Sequence, residues 1–126
     1  MILDTNALSA LADGAAGFEH AAAAVDRFSI PVIALGEFWF GVARSRHRAR
    51  YEAWLAQLVD VSRLLAVDEV TSRRYAEIRE HLRARGRPIP SNDTWIAALA
   101  LQHRLPVLTR DAHFDEVPGL ERVSWD

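Results

Sequence analysis

Short apolar runs alternate with longer segments of helical periodicity along this chain, and that alternation limits the fold more than any other feature. Met1–Leu3, Ser29–Ala34, Leu64–Val67 and Pro106–Thr109 read as strands, with Val123–Trp125 as a fifth at the edge. Between them, Asn6–Ala12 reads as a helix stopped near Asp13-Gly14, and Phe18–Phe28 as a second. Leu35–Arg44 reads as a very apolar helix. His47–Val59 reads as an amphipathic one, with Tyr51, Trp54, Leu55 and Leu58 on one face. Glu69–Ala84 is a long helix that Gly86 can end. Two prolines make 87–90 a loop, and Ser91 is the expected N-cap of a helix over Asn92–His103. Strands separated by helices pair in parallel, with right-handed crossovers and helices over both faces. The expectation is an α/β fold around a mostly parallel sheet of four or five strands.

The chain, 1–126, has one domain's length, and no repeat, low-complexity tract or linker divides it. Half of it is apolar, enough to bury a core without staples. The absence of cysteine excludes disulfides, thiolate zinc sites and cysteine nucleophiles. No apolar stretch approaches the ~18 residues of a membrane span, and Met1-Ile2-Leu3 leads straight into Asp4-Thr5-Asn6 with no basic segment before it. The expected location is the cytoplasm, with no membrane partner. All fifteen basic residues are arginine. Without lysine, a P-loop NTPase is excluded. So are haloacid-dehalogenase-type phosphatases and response-regulator receivers. The former also want a second Asp where Asn6 stands, and the latter an acidic pair near Asp4.

Most of the seventeen acids fall among polar neighbours in helical stretches and read as solvated surface, among them Glu52, Asp60, Glu69, Glu77, Glu80 and Glu121. Four do not. Asp4 follows the first strand and, taken alone, reads as a helix N-cap. Glu37 lies within the apolar stretch 32–40, so it either points out at a rim or has a buried partner. Asp93 opens an apolar helix, where the helix dipole by itself favours an acid. Asp111 follows the fourth strand, where an Asp commonly forms a turn or cap. Each has an ordinary explanation singly. Together they sit after strands or near helix starts, and in an open parallel sheet such positions converge on one edge. Four clustered carboxylates raise one another's pKa unless cations are present. Mg²⁺ or Mn²⁺ suits such a cluster and can promote attack on a phosphodiester.

At these residues the chain resembles PIN-domain proteins, in particular the VapC toxins of VapBC toxin–antitoxin systems. The segment 2–6 (ILDTN) is similar to the family's first acidic motif and 33–41 (IALGEFWFG) to its second. The segments 92–98 (NDTWIAA) and 108–114 (LTRDAHF) resemble the third and fourth. The likeness covers nearly the whole chain, in the family's order. It implies a three-layer α/β/α sandwich, Mg²⁺- or Mn²⁺-dependent cleavage of RNA with one or two ions, and an acidic pocket. Asp4, Glu37, Asp93 and Asp111 are then the catalytic, metal-binding set, supported by hydrogen bonds from Asn6 and Thr109. Where some relatives carry a further Asp this chain has His113, which supplies no carboxylate, and Asp115 is a nearby candidate. The resemblance also implies a cognate VapB-like antitoxin, a groove for its C-terminal segment, and a homodimer or a higher assembly with the antitoxin.

Two basic groups, Arg44 to Arg50 and Arg83 to Arg87, are candidates for RNA phosphate contact or solvated turns. Trp39, Phe40 and Trp54 read as core, with an interface as the alternative. The rival to catalysis is a PIN fold that binds RNA or protein without cutting; the presence of all four acids argues against it. Action on DNA is a third reading, though a chain this small lacks the extra elements of structure-specific relatives.

Overall fold

The computed structural model describes residues 1–125. Five strands form one all-parallel sheet in the order β3-β2-β1-β4-β5: β1 Ile2–Leu3, β2 Ser29–Pro31, β3 Arg63–Leu65, β4 Val107–Leu108 and β5 Arg122–Val123. Ile2 is opposite Ser29 on one side and Val107 on the other, so β1 is the centre of the sheet. The chain moves outward from β1 through β2 to β3, then returns to the other side of β1 for β4 and β5. The strand order therefore reverses between β1 and β4, the crevice where sites in open α/β sheets form.

Six helices, α1 Thr5–Ala12, α2 Phe18–Ala22, α3 Val32–Val42, α4 Arg48–Asp60, α5 Glu69–Ala84 and α6 Ser91–His103, complete a three-layer α/β/α sandwich, with a 3₁₀ turn over Ala112–Glu116. By the right-handed rule for parallel crossovers, the outward connections place α1, α3 and α4, which touch one another, over one face, and the returning connection places the paired α5 and α6 over the other. The inner strands β1, β2 and β4 are buried on both faces, and Ile2, Leu3, Ile30, Val107 and Leu108 expose nothing, whereas the edge strand β3 leaves Leu64 partly open. Leu55 of α4 and Ile96 to Ala100 of α6 close the core. Small alanines let α6 lie close to α5. Among the described residues no helix is long and apolar enough to cross a membrane.

Four local expectations change. The run Ser29–Ala34 is a strand only to Pro31; Val32 to Ala34 form the first turn of α3. Pro31, at φ −63°, occupies the N-cap, where its missing N–H costs nothing, and pairing with β3 ends opposite Leu65. The second helix stops at Ala22, so 23–28 is a connection. Ser91 lies inside α6 rather than capping it: Pro90 is the N-cap, and the Ser91 hydroxyl is 3.2 Å from that of Tyr75. Trp39 is 42% and Phe40 85% exposed, so neither is core. Helix α3 is apolar almost all round, and burying Ala34, Phe38 and Val42 turns these two outward. Trp54 does pack, its ring 5.8 Å from that of Phe38.

The C-terminal segment is tied back across the N-terminal connection. Trp125 is buried against Phe18, ring centres 5.2 Å apart. Gly17, at φ +83°, passes so close that a Cβ there would sit 2.5 Å from the Trp125 carbonyl oxygen.

Candidate active site

Asp4 leaves the end of β1 and is 3% exposed. Its two oxygens have different partners. Oδ1 accepts from the Ala7 N–H at 2.8 Å, which caps α1, and Oδ2 accepts a short hydrogen bond from the Thr109 hydroxyl. Capping and membership of the acid cluster are thus not alternatives for this residue. Thr109, fully buried at the end of β4, also accepts the Asp111 N–H at 2.9 Å. One hydroxyl therefore joins the ends of the two strands at which the sheet order reverses.

Asp93 stands in the first turn of α6 and Asp111 caps the 3₁₀ turn through the His113 N–H at 2.9 Å. Glu37 resolves toward a partner: the Thr5 hydroxyl donates to its Oε1 at 2.8 Å, joining α3 to α1. Helix α3 also touches α6, the helix that carries Asp93.

The electrostatics tie the four acids to one site. Burial pushes the Asp4 carboxyl up to about 6, partly opposed by its hydrogen bonds with Thr109 and Ala7, and the charges of Asp93 and Asp111 push the same way. Burial also raises Asp93, opposed by its contact with His113 and helped by the charges of Asp111 and Glu37. A carboxylate desolvated among others holds its proton more tightly.

Two residues join the site that motif reading did not use. Thr5 orients Glu37, and its position directly after Asp4 was the available signal. His113 was set aside because it is no carboxylate, yet its Nδ1 lies 3.1 Å from Asp93 Oδ2 and 3.0 Å from Asp111 Oδ1. That contact raises the proton affinity of the imidazole. Asn6 is exposed and makes no side-chain hydrogen bond among the described residues. Asp115 is engaged elsewhere, receiving both Nε (2.7 Å) and Nη2 (2.9 Å) of Arg122, which lowers its pKa. In the basic groups, Arg48 pairs with Glu52, Arg83 with Glu80 and Arg87 with Glu116.

The PIN domain model matches residues 1–120. Ribonuclease VapC5 of Mycobacterium tuberculosis is 37% identical over 102 residues, covering 79% of this chain and 75% of its own. Ribonuclease VapC4 of the same organism is 33% identical over 133 residues, covering 94% and 98%. The crystal structure of VapBC-5 from M. tuberculosis, described as a member of the VapBC family of toxin–antitoxin systems, superposes with a TM-score of 0.74 at 33% identity. It covers 98% of this chain and 94% of the other. A sheet reversing at β1 and β4, acids gathered at that crevice, and a family match over almost the whole length agree: the chain belongs to the PIN-domain family.

Proposed function

We propose that this protein is a Mg²⁺- or Mn²⁺-dependent endoribonuclease, the toxin of a toxin–antitoxin pair, inhibited by a VapB-like antitoxin. The observation that carries the reading is the acid pocket itself, in which Asp4 is buried, fixed in orientation and raised to about 6 by burial and by the acids around it. Evolution of a fold that merely binds RNA has no need of so costly an arrangement. The names of the VapC relatives support the RNA substrate, and the VapBC title supports the antitoxin. The working form we expect is a homodimer, or a higher assembly with the antitoxin.

The residues fit a hard divalent cation: oxygen donors predominate, and a cation would offset both the burial that chiefly raises Asp4 and Asp93 and the smaller push from neighbouring charges. Asp4, Asp93 and Asp111 would hold it, with Glu37 completing the set directly or through water. When bound, it supplies Lewis-acid activation of water and neutralises charge building on the phosphodiester. The chain's own part is preorganisation. Thr109 and the Ala7 N–H fix the Asp4 carboxylate, one hydrogen bond to each oxygen. Thr5 holds the Glu37 carboxylate through a hydrogen bond to Oε1. The ionised acids accept hydrogen bonds from a water aligned opposite the leaving 3′-oxygen, and in-line attack leaves a 5′-phosphate and a 3′-hydroxyl. The 2′-hydroxyl serves recognition only. Neutralising the four acids also moves the formal charge from −2 to +2, which removes an obstacle to binding a polyanion.

The test is cleavage of total cellular RNA by the purified protein with Mg²⁺, with Mn²⁺ and with EDTA, beside Asp4→Asn and Asp93→Asn. Metal-dependent cutting abolished by both substitutions supports the reading. Cutting that survives EDTA or the substitutions sinks it, and no cutting with either metal favours a binding module.

A further inference from the structure

The acid pocket holds a nitrogen donor. His113 Nδ1 is 3.0 Å from an Asp111 oxygen and 3.1 Å from an Asp93 oxygen, and one ligand atom from each of the three residues lies within 4.8 Å of the others. Donors bonded at about 2.1 Å on opposite sides of one ion stand about 4.2 Å apart, so only small side-chain adjustments separate this arrangement from a shared cation. The backbone around the imidazole is pinned on both sides. Asp111 receives the His113 N–H and gives its own N–H to Thr109, and Phe114 next door is fully buried. The ring itself is 48% exposed, open to an ion arriving from solvent.

A mixed nitrogen and oxygen donor set differs chemically from an all-oxygen one. Mg²⁺ favours oxygen ligands and retains its waters, whereas imidazole nitrogen favours first-row transition ions. We propose that His113, as the neutral imidazole with its Nδ1 proton released to solvent, ligates the site's cation through Nδ1 and sets a preference for Mn²⁺ over Mg²⁺. This rests on the metal-dependent nuclease reading above. The competing role is a spacer that separates two like charges and withdraws when the cation arrives.

Pulsed electron paramagnetic resonance of the full chain loaded with Mn²⁺ distinguishes the two, because a directly bound imidazole imprints nitrogen modulation on the signal. Calorimetric titration with Mn²⁺ and Mg²⁺ gives the affinities, and circular dichroism checks that each variant is folded. The wild-type protein should show the modulation. His113→Ala should lose it and bind Mn²⁺ about tenfold more weakly, and His113→Asp should lose it while its Mn²⁺-to-Mg²⁺ affinity ratio falls about tenfold. Stoichiometric Mn²⁺ without nitrogen modulation, or modulation persisting in His113→Ala, would overturn the role of His113 and leave the cation site standing. Wild-type protein that takes up no Mn²⁺, indistinguishable from Asp93→Asn, overturns the cation site as well.

Discussion

Replacing the buried Asp4 by asparagine should make the metal-free protein more stable while abolishing its activity. Asparagine keeps the shape, and its carbonyl oxygen can still cap α1 through the Ala7 N–H. Its amide can donate to the Thr109 hydroxyl that now donates to Asp4. What disappears is the ionised carboxylate. Asp4 rises from 3.8 to about 6 in the folded state, and each tenfold in proton affinity is worth about 1.4 kcal/mol. Because the folded state binds this proton more tightly than the unfolded chain, the stability it contributes is complete below pH 3.8. It is lost as pH rises through 6, leaving a cost of about 3 kcal/mol at pH 7.5. The same linkage leaves a cost of only about 1 kcal/mol at pH 4.5. Urea unfolding in EDTA reads it directly: for m of about 1–3 kcal/mol/M, Asp4→Asn should move the midpoint up by about 1 to 3 M at pH 7.5, and by about a third of that at pH 4.5. Mn²⁺ should stabilise the wild-type protein and not the variant, narrowing or reversing the order. A variant no more stable than wild type in EDTA at pH 7.5, or a gap that does not change with pH, would refute the account of Asp4 as a charge held at a cost for the site.

Three further outcomes follow from single contacts. Thr109→Val strands the Asp111 N–H and removes a hydrogen bond that holds Asp4 down. It should cost about 1–3 kcal/mol in urea unfolding and shift the acid limb of the pH–rate profile upward; an unmoved limb would exclude Thr109 as the tuner of Asp4. Thr5→Val frees Glu37 and should lower kcat about tenfold at unchanged thermal stability, with Thr5→Ser restoring it; equal rates in all three proteins would remove Thr5 from the site. Gly17→Ala combines a left-handed backbone with a collision at the Trp125 carbonyl. It should destabilise by about 1–3 kcal/mol, seen as a lower melting temperature without loss of activity in the folded protein.

Local physics in the sequence was enough for the class of fold and for singling out four acids as candidates. Alternating apolar runs and helical stretches announce a parallel sheet, because helices between strands leave few other connections. Asp4 and Asp111 directly after strands, and Asp93 at a helix start, already stand where such a sheet gathers its site. The limits of elements were less legible where packing outweighs propensity. The residues Val32, Ile33 and Ala34 look like strand, but become helix because pairing with β3 ends at Pro31 and the ring suits a helix start. The outward turn of Trp39 and Phe40 was likewise hidden, since α3 is apolar almost all round and only its neighbours choose the buried face. Tertiary structure alone decided the cross-connections. Thr109 meets Asp4 across 105 positions of sequence, Thr5 meets Glu37 across 32, and His113 bridges Asp93 and Asp111. Asp115 is drawn to Arg122 instead of the pocket. The physical reason is range: capping, turn and helix signals act within a few residues, whereas a hydrogen bond between strand ends or helices exists only once the sheet has assembled and brought them together.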